Sequence, residues 1–150
     1  MRRKGFALIE LVVVLAIVAI LGGIAVPVYQ NYLDKSRLTV ALRQVEADLR
    51  KAQAMAKSSG VNYEVLFIPG QSTYKIYEHP STSLAKLKET IELPGGVKIY
   101  TNTAPANKIV YYSAYATSEV TGGTITFKSP KSKTGKVIVA SITGRIRIEQ

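Results

Sequence analysis

The sequence predicts an α+β chain: one long N-terminal helix, transmembrane in its first half and amphipathic in its second, packed on an all-antiparallel, β-sandwich-like head. Three observations carry this expectation. Residues 6–28 form a nearly uninterrupted apolar run, and apolar side chains then recur at steps of three and four between Leu38 and Ala56. From Val61 onward the period drops to two among β-branched and aromatic residues. The chain thus divides into a basic start at 1–5, a membrane-length helix at 6–28, an amphipathic helix at 29–60 and a β-rich head at 61–150.

The first element begins with Arg2, Arg3 and Lys4, followed by Gly5. Between Phe6 and Val28 the sole charge is Glu10. As a helix this run reaches roughly 34 Å, enough to cross a hydrocarbon core about 30 Å thick. The three basic residues place the N-terminus in the cytoplasm and the head outside. A secretory signal peptide needs a polar flank and a small-residue cleavage site after its apolar stretch. Here the run passes through Gly22-Gly23 and Pro27 straight into Val28-Tyr29, with no Ala-x-Ala between. A plain membrane anchor accounts for everything except Glu10, because an acid inside an apolar span is costly and marks function by default.

Gly5-Phe6-Ala7-Leu8-Ile9-Glu10 resembles the processing motif of type IV pilins and type II secretion pseudopilins. The resemblance implies cleavage between Gly5 and Phe6 by a prepilin peptidase, then N-methylation of Phe6 by the same peptidase/methyltransferase. It also implies an assembly role for Glu10, as the acid that neutralises the Phe6 amine of a neighbouring subunit. Two charges that are each costly in lipid become tolerable once paired.

The second element carries the stripe Leu38, Leu42, Val45, Leu49, Ala52 and Ala56, with Arg43, Glu46, Arg50 and Lys57 off it. Glu46 and Arg50 form a favourable i, i+4 pair, and Gly60 is placed to end the helix. The whole stretch from Phe6 to about Ser59 reads as one helix with a kink at Pro27. Eight strands follow, expected at 62–68, 73–78, 89–93, 97–101, 109–114, 124–128, 137–142 and 145–149. Turn signals separate them at Pro69-Gly70, His79-Pro80-Ser81, Pro94-Gly95-Gly96, Gly122-Gly123 and Lys133-Thr134-Gly135. Thr143-Gly144 reads as a two-residue hairpin connection.

The C-terminal block narrows the resemblance. Gly123-Thr124-Ile125-Thr126-Phe127, a basic loop, Val137-Ile138-Val139-Ala140 and Gly144-Arg145-Ile146-Arg147-Ile148 are similar to minor pseudopilins of the GspH/FimT family. A chain without cysteine cannot form the disulfide that closes many major pilins. The family implies a structural subunit of a type II secretion pseudopilus or type IV pilus, working in protein secretion. Its expected partners are the prepilin peptidase, other pilin or pseudopilin subunits and the bacterial inner membrane. It would cross that membrane once, with its head periplasmic or extracellular, before entering a filament.

Composition removes most alternatives. The 150 residues include no Cys and one His, so thiolate chemistry, disulfides and polyhistidine metal sites are excluded. Ser83-Leu84-Ala85-Lys86 and Lys133-Thr134-Gly135 match two fragments of penicillin-recognising serine enzymes, but the third is missing and the chain is far too short for that fold. Lys133-Thr134-Gly135-Lys136 lacks the strand–loop–helix setting of a phosphate loop. His79 reads as an exposed turn residue. No enzyme, cofactor or metal is expected.

Basic residues remain to be placed. The net charge is +10, and no acid occurs between Val120 and Ile148. Arg145 and Arg147 fall on one face of a strand, with Ile146 and Ile148 on the other. Two readings stay open. One is a solvated edge that resists sheet-to-sheet aggregation. The other is a DNA-binding patch of Arg145, Arg147, Lys131 and Lys133, serving DNA uptake as in some FimT-type relatives, with Tyr111, Tyr112 and Tyr115 available to stack on bases.

Overall fold

The computed structural model describes residues 4–79, 84–113 and 120–150, with side chains from Leu8 onward. Helix α1 runs from Lys4 to Ser59, with Pro27 inside it. Gly60, in the left-handed region at φ 69°, ends it as expected. The chain forms two compact units, 1–33 and 34–150.

In the first unit the helix is the whole structure, and every described side chain from Leu8 to Tyr32 is exposed. An all-round apolar helix with no protein around it is a membrane span or the core of an assembly. Helix α1 is long and apolar enough to cross a membrane.

The second unit holds two four-stranded antiparallel sheets. Strands β1 (Asn62–Phe67), β2 (Thr73–His79), β3 (Lys86–Glu92) and β5 (Lys108–Tyr111) form one sheet in the order β3-β2-β1-β5. Strands β4 (Lys98–Asn102), β6 (Gly123–Lys128), β7 (Thr134–Val139) and β8 (Ile146–Glu149) form the other in the order β4-β6-β7-β8. The amphipathic stripe packs on both, and Leu42, Val45, Leu49 and Ala52 are fully buried. Phe67 stacks on Tyr74 at 5.2 Å and meets Phe127 edge-on at 6.3 Å, which joins the two sheets through one aromatic cluster.

The eight-strand layout matches the sequence, with informative shifts. Strand β3 starts three residues before the expected Glu89, because its pairing with β2 extends to Glu78↔Lys86. It is an edge strand with almost every side chain exposed, so no apolar alternation announces its first three residues. Strand β7 begins at Thr134 and ends at Val139, not at 137 and 142. Lys133-Thr134-Gly135 is therefore not a turn, since Gly135 pairs with Phe127 inside the sheet. A Cβ at Gly135 would lie 2.5 Å from Leu42 Cδ1, so glycine there serves close approach of α1.

The Thr143-Gly144 hairpin also needs correction. The β7–β8 ladder closes at Val139↔Ile146, which leaves a six-residue connection from Ala140 to Arg145. Strand β5 ends at Tyr111 rather than 114, and Ala114 lies outside the described residues. His79 closes β2 instead of standing in an exposed turn. Its Nε2 lies 3.0 Å from Glu64 Oε2, and Lys108 Nζ reaches Glu64 Oε1 at 2.9 Å. Glu64 is buried on the sheet, and these partners satisfy its charge.

Candidate functional site

Two regions carry the residues singled out by sequence. Gly5 and Phe6 lie in the first turns of α1. Glu10 follows one turn later, exposed, at the start of an apolar surface that continues to Tyr29. Within the unit 1–33 no described residue covers this surface, and from Phe6 to Leu33 Glu10 supplies its only charge. Its chemistry suits a lipid environment or other apolar helices, with one acid available to a cation brought by a neighbour.

The second region is the basic C-terminal sheet. Arg145 and Arg147 are exposed while Ile146 is buried, as alternation requires. Arg147 Nε lies 3.3 Å from Glu149 Oε1, two residues along the same face. Lys131 and Lys133 lie in the β6–β7 turn, which opens β7, whereas Arg145 lies in the connection that follows its last residue. At about 3.3 Å per residue, the strand's length of roughly 20 Å separates the two groups. The turn lysines and Arg145 are thus not one cluster. Tyr111 is 1% exposed and cannot stack on a base, and Tyr112 is half-buried. Tyr115 and Ser83 lie outside the described residues. Thr134 and Gly135, of the matched enzyme fragment, are ordinary ladder residues.

A different basic grouping emerges from the register. Lys98 on β4 faces Lys128 on β6 directly. Lys128 Nζ sits 5.1 Å from the centre of the Tyr100 ring, which disperses part of the repulsion between like charges. Sequence reading missed this pair because the two lysines are 30 positions apart and meet only through strand pairing.

It also missed Asp34. This carboxylate is 2% exposed on α1 and accepts hydrogen bonds from Ser129 Oγ at 2.6 Å and Lys131 N at 3.3 Å. The signal was available: Asp34 stands four residues before Leu38, on the line of the apolar stripe. A charge on a buried stripe implies a buried partner. Elsewhere on the helix, Asp48 accepts a short hydrogen bond from the Tyr74 hydroxyl, and burial first, then this bond, hold the phenol far above its ordinary range.

The comparisons with known proteins bear on this geometry. Residues 1–26 match the family model described as the prokaryotic N-terminal methylation motif. A fimbrial protein of Pseudomonas aeruginosa is 39% identical over 82 residues, 55% of this chain and 53% of that protein. Prepilin peptidase-dependent protein D of Escherichia coli (strain K12) is 55% identical over 42 residues, 28% of this chain and 29% of that protein. The chain is thus similar to the methylation motif at residues 1–26 and, over part of its length, to a fimbrial protein and a prepilin peptidase-dependent protein.

Among solved structures, the minor pseudopilin EpsH from the type 2 secretion system of Vibrio cholerae aligns with a TM-score of 0.61 at 14% identity, over 75% of this chain and 95% of that one. The type IV minor pilin FimU of Pseudomonas aeruginosa aligns with a TM-score of 0.59 at 15% identity, over 79% and 92%. At such identities the likeness concerns the fold. The chain spans about half the length of the first curated relatives it matches.

Proposed function

We propose that this protein is a minor pseudopilin or pilin, a structural subunit of a type II secretion pseudopilus or type IV pilus that serves protein secretion. A prepilin peptidase cuts between Gly5 and Phe6 and the new Phe6 amine is methylated. The processed chain waits in the inner membrane with its head outside, then enters the filament through the first half of α1. The observation that carries this reading is the motif-bearing helix itself, exposed from Leu8 to Tyr32 and apolar as far as Val28 with Glu10 as its single acid. Such a surface is stable only in lipid or against like helices. The minor role is supported by the absence of cysteine and by the fold likeness to a minor pseudopilin and a minor pilin.

Intact-mass analysis of the protein from cells with and without prepilin peptidase tests the proposal. The expected mature form begins at N-methyl-Phe6 and lacks residues 1–5. An identical, unprocessed mass in both strains overturns it.

A further inference from the structure

Lys98 and Lys128 are direct partners across the β4–β6 ladder and so stand on one face of the sheet, with Cα atoms about 5 Å apart. Like charges set directly opposite each other destabilise a sheet, so such a pair calls for an explanation. Both lysines line a pocket of about 550 Å³. Tyr100, Pro130 and Ser132 belong to the same wall, and among the described residues no carboxylate lines it.

The charges around the pocket can be traced element by element. Lys128 is the last residue of β6, about 17 Å of strand away from Gly123 at its start. Gly70 lies before β2, and His79 is the far end of that strand. The segments 80–83 and 114–119 therefore join the chain at the ends of β2 and β6 opposite to the pocket. Asp34 accepts hydrogen bonds from the Ser129 hydroxyl and the Lys131 N–H, and at 2% exposed its charge is satisfied inside the fold. Glu149 shares the outer face of the sheet but stands two strands from β6, where Arg147 holds it at 3.3 Å and Lys136 faces it. The Lys98–Lys128 rung keeps its two positive charges.

Those charges decide the ligand class. A phosphomonoester carries nearly two negative charges at neutral pH and three strong acceptor oxygens, whereas a phosphodiester carries one charge. Lys128 Nζ lies 5.1 Å from the Tyr100 ring centre, and an ammonium has three donors, so it can keep the ring and still reach a ligand. Tyr100 and Pro130, both exposed, offer apolar surface to the carbon body of an ester. We propose that this pocket binds a phosphomonoester, whose oxygens accept hydrogen bonds from the Lys98 and Lys128 ammonium groups across the rung. The phosphate belongs either to a free small ester or to the headgroup of a phosphatidate lipid. The inference stands apart from filament assembly and does not depend on it.

The test uses the full-length protein in neutral detergent micelles, labelled with ¹⁵N at lysine, the Lys98 and Lys128 amide signals being assigned through Lys98→Gln and Lys128→Gln. Glycerol 3-phosphate represents the free ester and dihexanoyl phosphatidate, mixed into the micelles, the lipid headgroup. Dimethyl phosphate and the unphosphorylated dinucleotide dTpdT, both singly charged diesters, are compared at matched ionic strength. The expected result is a saturable shift of both amides with a monoester, half-complete at a concentration at least tenfold below that of either diester. Lys98→Gln and Lys128→Gln should each raise the half-saturating concentration by roughly tenfold, the equivalent of one lost charge-assisted hydrogen bond. Lys98→Glu should abolish the response and keep the fold, because it sets opposite charges on one rung. Saturation by glycerol 3-phosphate identifies a free ester as the ligand, and saturation by phosphatidate alone identifies a lipid headgroup. No saturable shift with either monoester, or an equal response to dimethyl phosphate, overturns the proposal. A stronger response to the dinucleotide overturns it too and assigns the face to nucleic acid.

Discussion

The Asp34 carboxylate, buried on α1, accepts a 2.6 Å hydrogen bond from the Ser129 hydroxyl at the start of the β6–β7 turn. Ser129 Oγ in turn accepts the Lys133 N–H at 3.1 Å, and Ser129 N donates to the Lys133 carbonyl at 2.8 Å. One helix residue thus organises the whole basic turn. Asp34→Ala strips a charged acceptor from two donors, at a cost of about 2–3 kcal/mol of head stability. Ser129→Ala removes the hydroxyl alone and should cost about 1 kcal/mol. Urea unfolding of both variants in detergent micelles measures the difference. Equal midpoints for Asp34→Ala and the wild type would deny the carboxylate this role.

Gly135 makes a steric prediction. Its substitution by Ala places a Cβ 2.5 Å from Leu42 Cδ1, in a core where Leu42 is fully buried. Leu42 must leave its rotamer or the helix must move away, and overpacking of this kind costs about 1–3 kcal/mol. The double change Gly135→Ala, Leu42→Ala should lose less than the sum of its parts, because the second change removes the clash. A double-mutant cycle by urea unfolding checks it, and strict additivity counts against the contact.

Glu10 makes a prediction about assembly. Glu10→Ala leaves the span without a charge between Phe6 and Leu33, so membrane insertion should be kept or improved. The mutant lacks the acid proposed to neutralise a neighbour's Phe6 amine, so it should co-purify poorly with other filament subunits after solubilisation. Wild-type recovery of those subunits argues that the charge pairing is not what admits the chain.

DNA binding, the second sequence reading, now has a geometric consequence. Because Lys131 and Lys133 lie at the opposite end of β7 from Arg145, the two pairs should act independently. Under that reading Arg145→Ala with Arg147→Ala lowers the salt slope of log K by roughly 1.5 to 2 on duplex DNA. Adding Lys131→Ala and Lys133→Ala lowers it by a further, separate increment. Folding stability should change by no more than about 0.5 kcal/mol per exposed arginine. Fluorescence anisotropy of the full chain at several salt concentrations reads the slopes. An unchanged slope leaves the arginines as a solvated, aggregation-resistant edge.

Much of the fold was legible because it is written in local periodicity. The stripe from Leu38 to Ala56 is the face that α1 buries, and the helix ends at the glycine whose positive φ suits a terminus. Strands β1, β2 and β6 were placed within one residue at each end. The misreadings fall where local signals have another cause. Gly135 resembled a turn residue, and its smallness serves a helix 93 positions earlier in the chain. Lys86 to Lys88 fell outside the strand expected at 89–93, because an edge strand with solvent on its side chains has no core to alternate against.

By itself, then, the sequence determined the membrane-length helix, the motif at its head, the amphipathic stripe and a count of eight strands, all properties of neighbouring residues along the chain. The tertiary structure alone decided which distant residues meet. Strand register set Lys98 against Lys128 and separated Lys131 from Arg145. Helix-to-sheet packing brought Asp34 to Ser129. The physical reason is that a hydrogen-bonded ladder and a packed core are satisfied by pairs far apart in sequence, and no local periodicity encodes which pairs those are.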